Sequence, residues 1–98
     1  MKPPKIEWDV AKNAENIRKH GVSFEEASTV FADERALLRA DPDNSTEEDR
    51  FILMGLSASL RMVVVCHCYR RDDQIIRIIS ARKATKPERA TYSERWRR

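Results

Sequence analysis

Val10, Ala14 and Ile17 recur at i, i+4 and i+7 behind Asp9, a residue type suited to N-capping, and this spacing predicts a short amphipathic helix. Gly21 is placed to end it, with Lys19 and His20 in the last turn, where cations complement the helix dipole. Ser23-x-x-Glu26 reads as a capping box for a second helix, with Val22 and Ala27 at the positions of a hydrophobic staple. Phe24, Ala27, Val30 and Phe31 form its apolar stripe, and the short link makes a helix-turn-helix-like corner. From Arg35 onward the period drops to two. Strands are predicted at 36–40, 50–56, 62–69 and 74–81, with a polar loop at 41–49 and hairpin connections at 57–61 and 70–73. Strict alternation in the last strand puts Ile76, Ile78 and Ser80 on one face and Ile75, Arg77, Ile79 and Ala81 on the other. Thr85-x-x-Glu88 is a second capping box, with Pro87 in the tolerated first turn and Tyr92 and Trp96 at i, i+4 beyond it. The pattern predicts an α+β fold: two N-terminal helices packed on an antiparallel sheet of about four strands, with a C-terminal helix.

At 98 residues the chain has room for one domain, taken as residues 1–98, and 41% hydrophobic content with two Gly and four Pro excludes a disordered or collagen-like polymer. The net charge of +3 is unevenly placed. Residues 1–49 hold seven Lys/Arg against twelve Asp/Glu, a net of −5, whereas residues 50–98 hold twelve against four, a net of +8. A basic half of this kind faces a polyanion or an acidic partner, and charge alone does not choose between them.

Cys66 and Cys68 are the only cysteines, and in a regular strand they share a face without converging, so the expectation is two buried thiols in a reducing compartment. With His67 between them they resemble half a zinc site, but no second Cys/His cluster exists, and no metal or other cofactor is expected. The N-terminus has no apolar signal-peptide region, and the longest apolar run, Met62 to Cys66, is too short for a membrane span of about 20 residues. A cytoplasmic protein without membrane association is the expectation.

Two constellations could carry chemistry. Asp9, Lys12, Asn16, Lys19 and His20 fall on one polar stripe of the first helix, presenting ammonium groups, an amide and an imidazole together. On RNA, lysines would offset phosphate charge, Asn would position it, and an imidazole could move a proton near neutral pH. A solvated helix face satisfies the same spacing. Arg77, Arg82, Lys83, Lys86 and Arg89 run off the last strand into the C-terminal helix, and arginine suits bidentate phosphate contacts. Tyr92 and Trp96, interleaved with Arg89, Arg95, Arg97 and Arg98, could stack on unpaired bases or pack down on the sheet; both readings stay open. His67, mid-strand, reads as a hydrogen-bonded core residue, and the acidic loop lacks the ligand spacing of a calcium site.

The string Ile6-Glu7-Trp8-Asp9-x-x-Lys12-x-x-x-Asn16-x-x-Lys19-His20-Gly21-Val22-Ser23-Phe24-Glu25-Glu26-Ala27, then Val30-Phe31-x-Asp33 and Arg77-Ile78-Ile79-Ser80-Ala81-Arg82-Lys83-Ala84, resembles the BrnT toxin family over nearly the whole chain. The resemblance implies a RelE-like ribonuclease toxin of a bacterial type II toxin–antitoxin system. It also implies a BrnA-type antitoxin in a complex with two copies of each chain, and operator DNA bound only through the antitoxin. RelE-like enzymes cut RNA without metal, using its own 2′-hydroxyl. On the matching positions the resemblance points to Lys19 and Arg82 as charge stabilisers and His20 as the proton-transfer group. Lys12 and Asn16 would position RNA, with Arg77, Lys83 and Arg89 as further RNA-binding residues. The competing reading is a non-enzymatic basic module that docks an acidic partner or nucleic acid.

Overall fold

The computed structural model describes residues 4–44 and 48–96. Arg97 and Arg98, and part of the acidic loop, lie outside the described residues. In chain order the elements are β1 (Lys5–Glu7), α1 (Val10–His20), α2 (Phe24–Thr29) with a 3-10 turn at Val30–Ala32, β2 (Leu37–Ala40), a 3-10 turn at Pro42–Asn44, β3 (Phe51–Leu56), β4 (Met62–Arg70), β5 (Ile75–Lys83) and α3 (Lys86–Arg95). The strands form one sheet in the order β1-β5-β4-β3-β2. The expected meander of β2 to β5 is antiparallel throughout. The sheet is nevertheless five-stranded and mixed, because β1 joins β5 in parallel. Three residues are too few to show a period, which is why pattern alone misses β1.

α1 and α2 cover one face. Val22, Phe24, Ala27 and Val30 pack there on Leu53, Val63, Val65, Ile78 and Ala81 in the main core. Ile78 and Ala81 are three residues apart yet share this face, so strict alternation fails. Cys66 pairs with Ser80 while His67 pairs with Ile78, leaving Ile79 as the extra residue of a β-bulge. The bulge turns Ala81 inward and moves Ser80, Arg82 and Ala84 to the opposite face. That face holds a smaller cluster, in which Tyr92 of α3 meets Met54, Val64 and Ala84.

The helix ends follow local rules with one exception. Asp9 accepts from the Lys12 N–H at 3.0 Å, and Gly21 closes α1 at φ +68°. Thr85 and Glu88 form the full capping box of α3. Ser23 caps α2 through the Glu26 N–H, but the Glu26 carboxylate turns away to Arg61 and to the Ser57 hydroxyl. An ion pair that ties α2 to the β3–β4 hairpin thus replaces the second half of that capping box.

The buried face of α1 is also the reverse of the expected one. Val10 is 79% and Ile17 46% exposed, while Asn16, on the polar stripe, is 6% exposed. The reason lies at the sheet edge. β1 stops beside Arg77, so β5 has no strand neighbour on that side further along. The Asn16 amide fills the role: its Nδ2 donates to the Ala81 carbonyl at 2.8 Å, and its Oδ1 accepts from the Ala81 N–H at 3.1 Å. Its second N–H goes to the Val22 carbonyl at 2.8 Å. Asn13 likewise accepts from the Phe24 N–H at 2.8 Å. Buried backbone groups need partners, and here that need outweighs the apolar stripe.

Candidate active site

Docking Asn16 on Ala81 has a consequence one turn later, where His20 reaches the sheet. His20 lines a cleft of about 280 Å³ together with Arg82 and Ser80 of β5, Cys66 and Val64 of β4, Ile52 of β3, and Arg50 just before it. Asp41 and Asn44, from the turn after β2, close one side. Cross-strand register explains the floor, since Ile52 pairs with Cys66 and Cys66 with Ser80, while Val64 pairs with Arg82. Without the bulge, Ser80 and Arg82 would point at the core.

The electrostatics of the cleft centre on Arg82. Its guanidinium donates to both carboxylate oxygens of Glu88, at 2.7 and 2.9 Å, and to the Lys83 carbonyl at 3.3 Å. Hydrogen bonds from Arg82 hold the Glu88 carboxyl at about 2, against partial desolvation, with help from the Thr85 N–H. The Arg82 guanidinium is correspondingly pushed up by Glu88. Glu88 also accepts from the Thr85 N–H at 2.8 Å, so one carboxylate caps α3 and orients the arginine. Cys66 and Cys68 are both free thiols, Cys68 buried as expected and Cys66 only half-buried in the cleft lining. Burial pushes the Cys66 thiol up, which makes it a poor nucleophile in its resting state.

Of the residues expected to act, His20 and Arg82 are brought together. Lys19 leans back along α1 to Glu15, 3.4 Å away, and does not line the cleft. Asn16 is a structural residue, with its amide spent on backbone groups, and is withdrawn as an RNA-positioning group. Arg77 pairs with Glu7 at 2.7 Å beside β1. Lys12 is exposed in the first turns of α1, Lys83 is exposed at the end of β5, and Arg89 donates to the Ala84 carbonyl at 2.9 Å. These four lie outside the cleft lining. Tyr92 packs down on the sheet and donates to Asp33 at 2.8 Å, and the Trp96 indole donates to the Arg35 carbonyl at 2.8 Å. Arg35 and Arg95 flank the Trp96 ring at 5.6 and 6.0 Å. His67 is fully buried, edge-on to Phe31 at 4.9 Å, with burial lowering its pKa, in keeping with a core role. Pattern reading missed Arg50, Ser80, Asp41 and Asn44. Only the bulge and the register of three strands bring them to one place.

Among the described residues no group of three or more His, Cys, Asp or Glu side chains is placed to hold a metal ion, and no helix is long and apolar enough to cross a membrane.

An α+β fold of this kind occurs in a ribonuclease toxin. The structure superposes on the 1.1 Å crystal structure of the Brucella abortus ribonuclease toxin BrnT with a TM-score of 0.62 and 27% identity, covering 85% of this chain and 99% of that one. Residues 8–88 match the family model described as the ribonuclease toxin BrnT of type II toxin–antitoxin systems. The chain belongs to the BrnT family. No match was found among curated proteins.

Proposed function

We propose that this chain is a RelE-like endoribonuclease that cuts RNA without a metal ion and thereby inhibits translation. The observation that carries this reading is the meeting of His20 with Arg82 and Arg50 in one cleft of a BrnT-family fold. The 2′-hydroxyl of the substrate attacks the adjacent phosphorus; the new 2′-O–P bond forms as the 5′-O–P bond breaks. The 2′-oxygen gives up its proton as it attacks and the departing 5′-oxygen takes one up; His20 carries one of these two transfers and solvent water the other. Arg82 and Arg50 stabilise the charge that builds on the non-bridging oxygens, the larger share of the rate enhancement in such sites. Lys19 adds field at the cleft mouth after exchange with Glu15, and Lys12, Arg77, Lys83 and Arg89 guide the RNA chain from outside. The partner is a BrnA-type antitoxin in an assembly of two copies of each chain, with operator DNA contacted by the antitoxin.

One observation favours the alternative of a non-enzymatic basic module: both outer nitrogens of Arg82 are engaged by Glu88, an arrangement that also serves simply to anchor α3. Incubating purified chain with RNA in excess EDTA separates the two. Cleavage should persist, leave 2′,3′-cyclic phosphate and 5′-hydroxyl ends, and fall at least a hundredfold in His20→Ala and in Arg50→Ala. Arg82→Lys, whose melting temperature checks folding, should fall by a similar factor. RNA that is bound but never cut, or cut equally well by His20→Ala, sinks the enzymatic assignment of this cleft.

A further inference from the structure

A hollow of about 440 Å³ opens where β3 begins and β4 ends, lined by the rings of Phe51 and Tyr69 and by Asp49 and Asp73. It lies on the face that α1 and α2 cover, not on the face of the cleft. Phe51 points away from its neighbour Ile52 on the cleft floor, and Tyr69 alternates with His67 and Val65 of the main core side. The volume is within the about 300–1,000 Å³ of small-molecule sites.

The aromatic wall is packed from behind. Phe51 and Tyr69 meet at 5.3 Å with their planes at 65°, and the fully buried His67 ring stands edge-on to Tyr69 at 5.3 Å and to Phe31 at 4.9 Å. His67 also sets the polarity of Tyr69. Its Nδ1 faces the Val65 carbonyl at 3.3 Å, and because a carbonyl only accepts, Nδ1 carries the ring proton. Nε2 is then bare and accepts from the Tyr69 hydroxyl, also at 3.3 Å. The phenol spends its one proton on His67, so only oxygen lone pairs remain for the hollow. Asp73 is brought to the rim by a turn in which Arg71, Asp72 and Asp73 all take left-handed backbone, at φ +52°, +55° and +67°. Neither Arg70 nor Arg71 lines the hollow, and Arg70 is paired with Glu48 at 3.5 Å.

Every polar side-chain group in this lining therefore accepts hydrogen bonds, and the two rings add the negative faces of their π-systems. A phosphate would be repelled by both carboxylates. A nucleobase would bring ring and carbonyl acceptors that find no side-chain donor. A hard metal ion needs more oxygen ligands than two carboxylates and a phenol supply. An ammonium ion is strongly hydrated and presents a point charge, whereas a guanidinium is planar, weakly hydrated, stacks on aromatic rings and forks onto carboxylates. We propose that this hollow binds a guanidinium group, stacked on Tyr69 with its N–H groups donated to Asp73 and Asp49. The group is carried on a free small molecule or on an arginine side chain of a polypeptide. The site is separate from the RNA cleft and does not depend on the ribonuclease reading.

The test is a two-dimensional NMR titration of the isotopically labelled full chain with agmatine, and with putrescine, which has an ammonium in place of the guanidinium. Agmatine should shift the backbone amides of Phe51, Tyr69 and Asp73 and bind at least about fivefold more tightly than putrescine. Asp73→Asn and Tyr69→Leu should each weaken agmatine by about fivefold or more. Melting temperatures check folding, and the exposed Asp73→Asn decides the matter if Tyr69→Leu unfolds. A blocked Gly-Arg-Gly peptide separates the sources: tighter binding than agmatine assigns the site to a polypeptide arginine, weaker binding to a free small molecule. Putrescine binding as well as agmatine, shifts confined to other elements, or less than a twofold loss in Asp73→Asn overturns the proposal. So does an uncleavable RNA that shifts the same three amides and displaces agmatine, because the hollow then belongs to the RNA path.

Discussion

Asn16 shows how one side chain can decide where a helix sits. Its amide makes three hydrogen bonds to backbone groups, two of them to Ala81 of β5. Removing it leaves buried donors and acceptors unpaired, at about 1–3 kcal/mol for a group of this kind. Asn16→Ala should therefore lower unfolding free energy by about 2–4 kcal/mol in urea titration. RNA cleavage should fall too, because His20 loses its seat at the cleft. A variant as stable as wild type would mean that α1 is held by something else. Glu88 is the second residue whose effect reaches beyond itself. Its carboxyl sits at about 2 when folded, against an ordinary 4.5, chiefly because Arg82 donates to it. A folded value below the unfolded one means that the stabilisation is complete above about pH 4.5 and is lost as pH falls toward 2. Glu88→Gln keeps a side chain able to complete the capping box but removes the charge. Its melting temperature should lie below wild type at neutral pH, and the gap should close between pH 4.5 and 2. A gap that stays constant over that range would show that the ion pair adds nothing.

At the scale of elements, two glycines make a matched experiment on junctions. Gly21 ends α1 at φ +68°, and a Cβ added there would meet nothing within 4 Å, so Gly21→Ala faces only backbone strain, about 1–2 kcal/mol. Gly55 lies in β3, where an added Cβ would fall 2.7 Å from the Asp33 carboxylate, 2.9 Å from Ala36 and 3.1 Å from Val30. Asp33 is a junction in its own right. It accepts from the N–H groups of Leu56 and Arg35 and from the Tyr92 hydroxyl, which together hold its carboxyl down although burial pushes it up. Pushing Asp33 aside would release the Tyr92 anchor of α3 along with the turn before β2. Gly55→Ala should thus cost more than Gly21→Ala, and calorimetry should rank the two melting temperatures in that order. The reverse order would show that the Asp33 junction yields cheaply. The caps of α1 and α3, the limits of β2 to β5 within a residue or two, and the hairpins were legible because each depends on near neighbours in the chain. The exposed face of α1 was not. Val10, Ala14 and Ile17 have the right spacing for a buried stripe, but the surface they would have met is a strand edge asking for hydrogen bonds.

For the whole molecule, charge placement matters more than the net of +3. Of the twelve basic residues in the later half, Arg61, Arg70, Arg77 and Arg82 are paired with Glu26, Glu48, Glu7 and Glu88. Those four meet RNA phosphate only in competition with a carboxylate. If about three phosphates are neutralised in the complex, log affinity for single-stranded RNA should fall against log salt with a slope of about −2. Fluorescence anisotropy with an RNA that lacks the attacking 2′-hydroxyl would measure it without cleavage. A slope near zero would exclude phosphate contacts as the basis of binding, and one near −6 would mean that the exposed basic residues outside the cleft join in.

Local chemistry and kinship are written in the order of residues: where helices begin and end, which segments alternate as strands, that two cysteines on one strand face stay unpaired, and a string of motifs that carries the BrnT family. Tertiary structure alone decided which of the basic and proton-bearing residues meet. The bulge at Ile79 turned Ser80 and Arg82 outward, β1 stopped short and left Ala81 for Asn16, and that bond set His20 beside Arg82 while Lys12 and Arg77 stayed elsewhere. Periodicity and capping act over three or four residues. Edge pairing and register satisfy backbone groups that are dozens of residues apart, and no local pattern encodes that requirement.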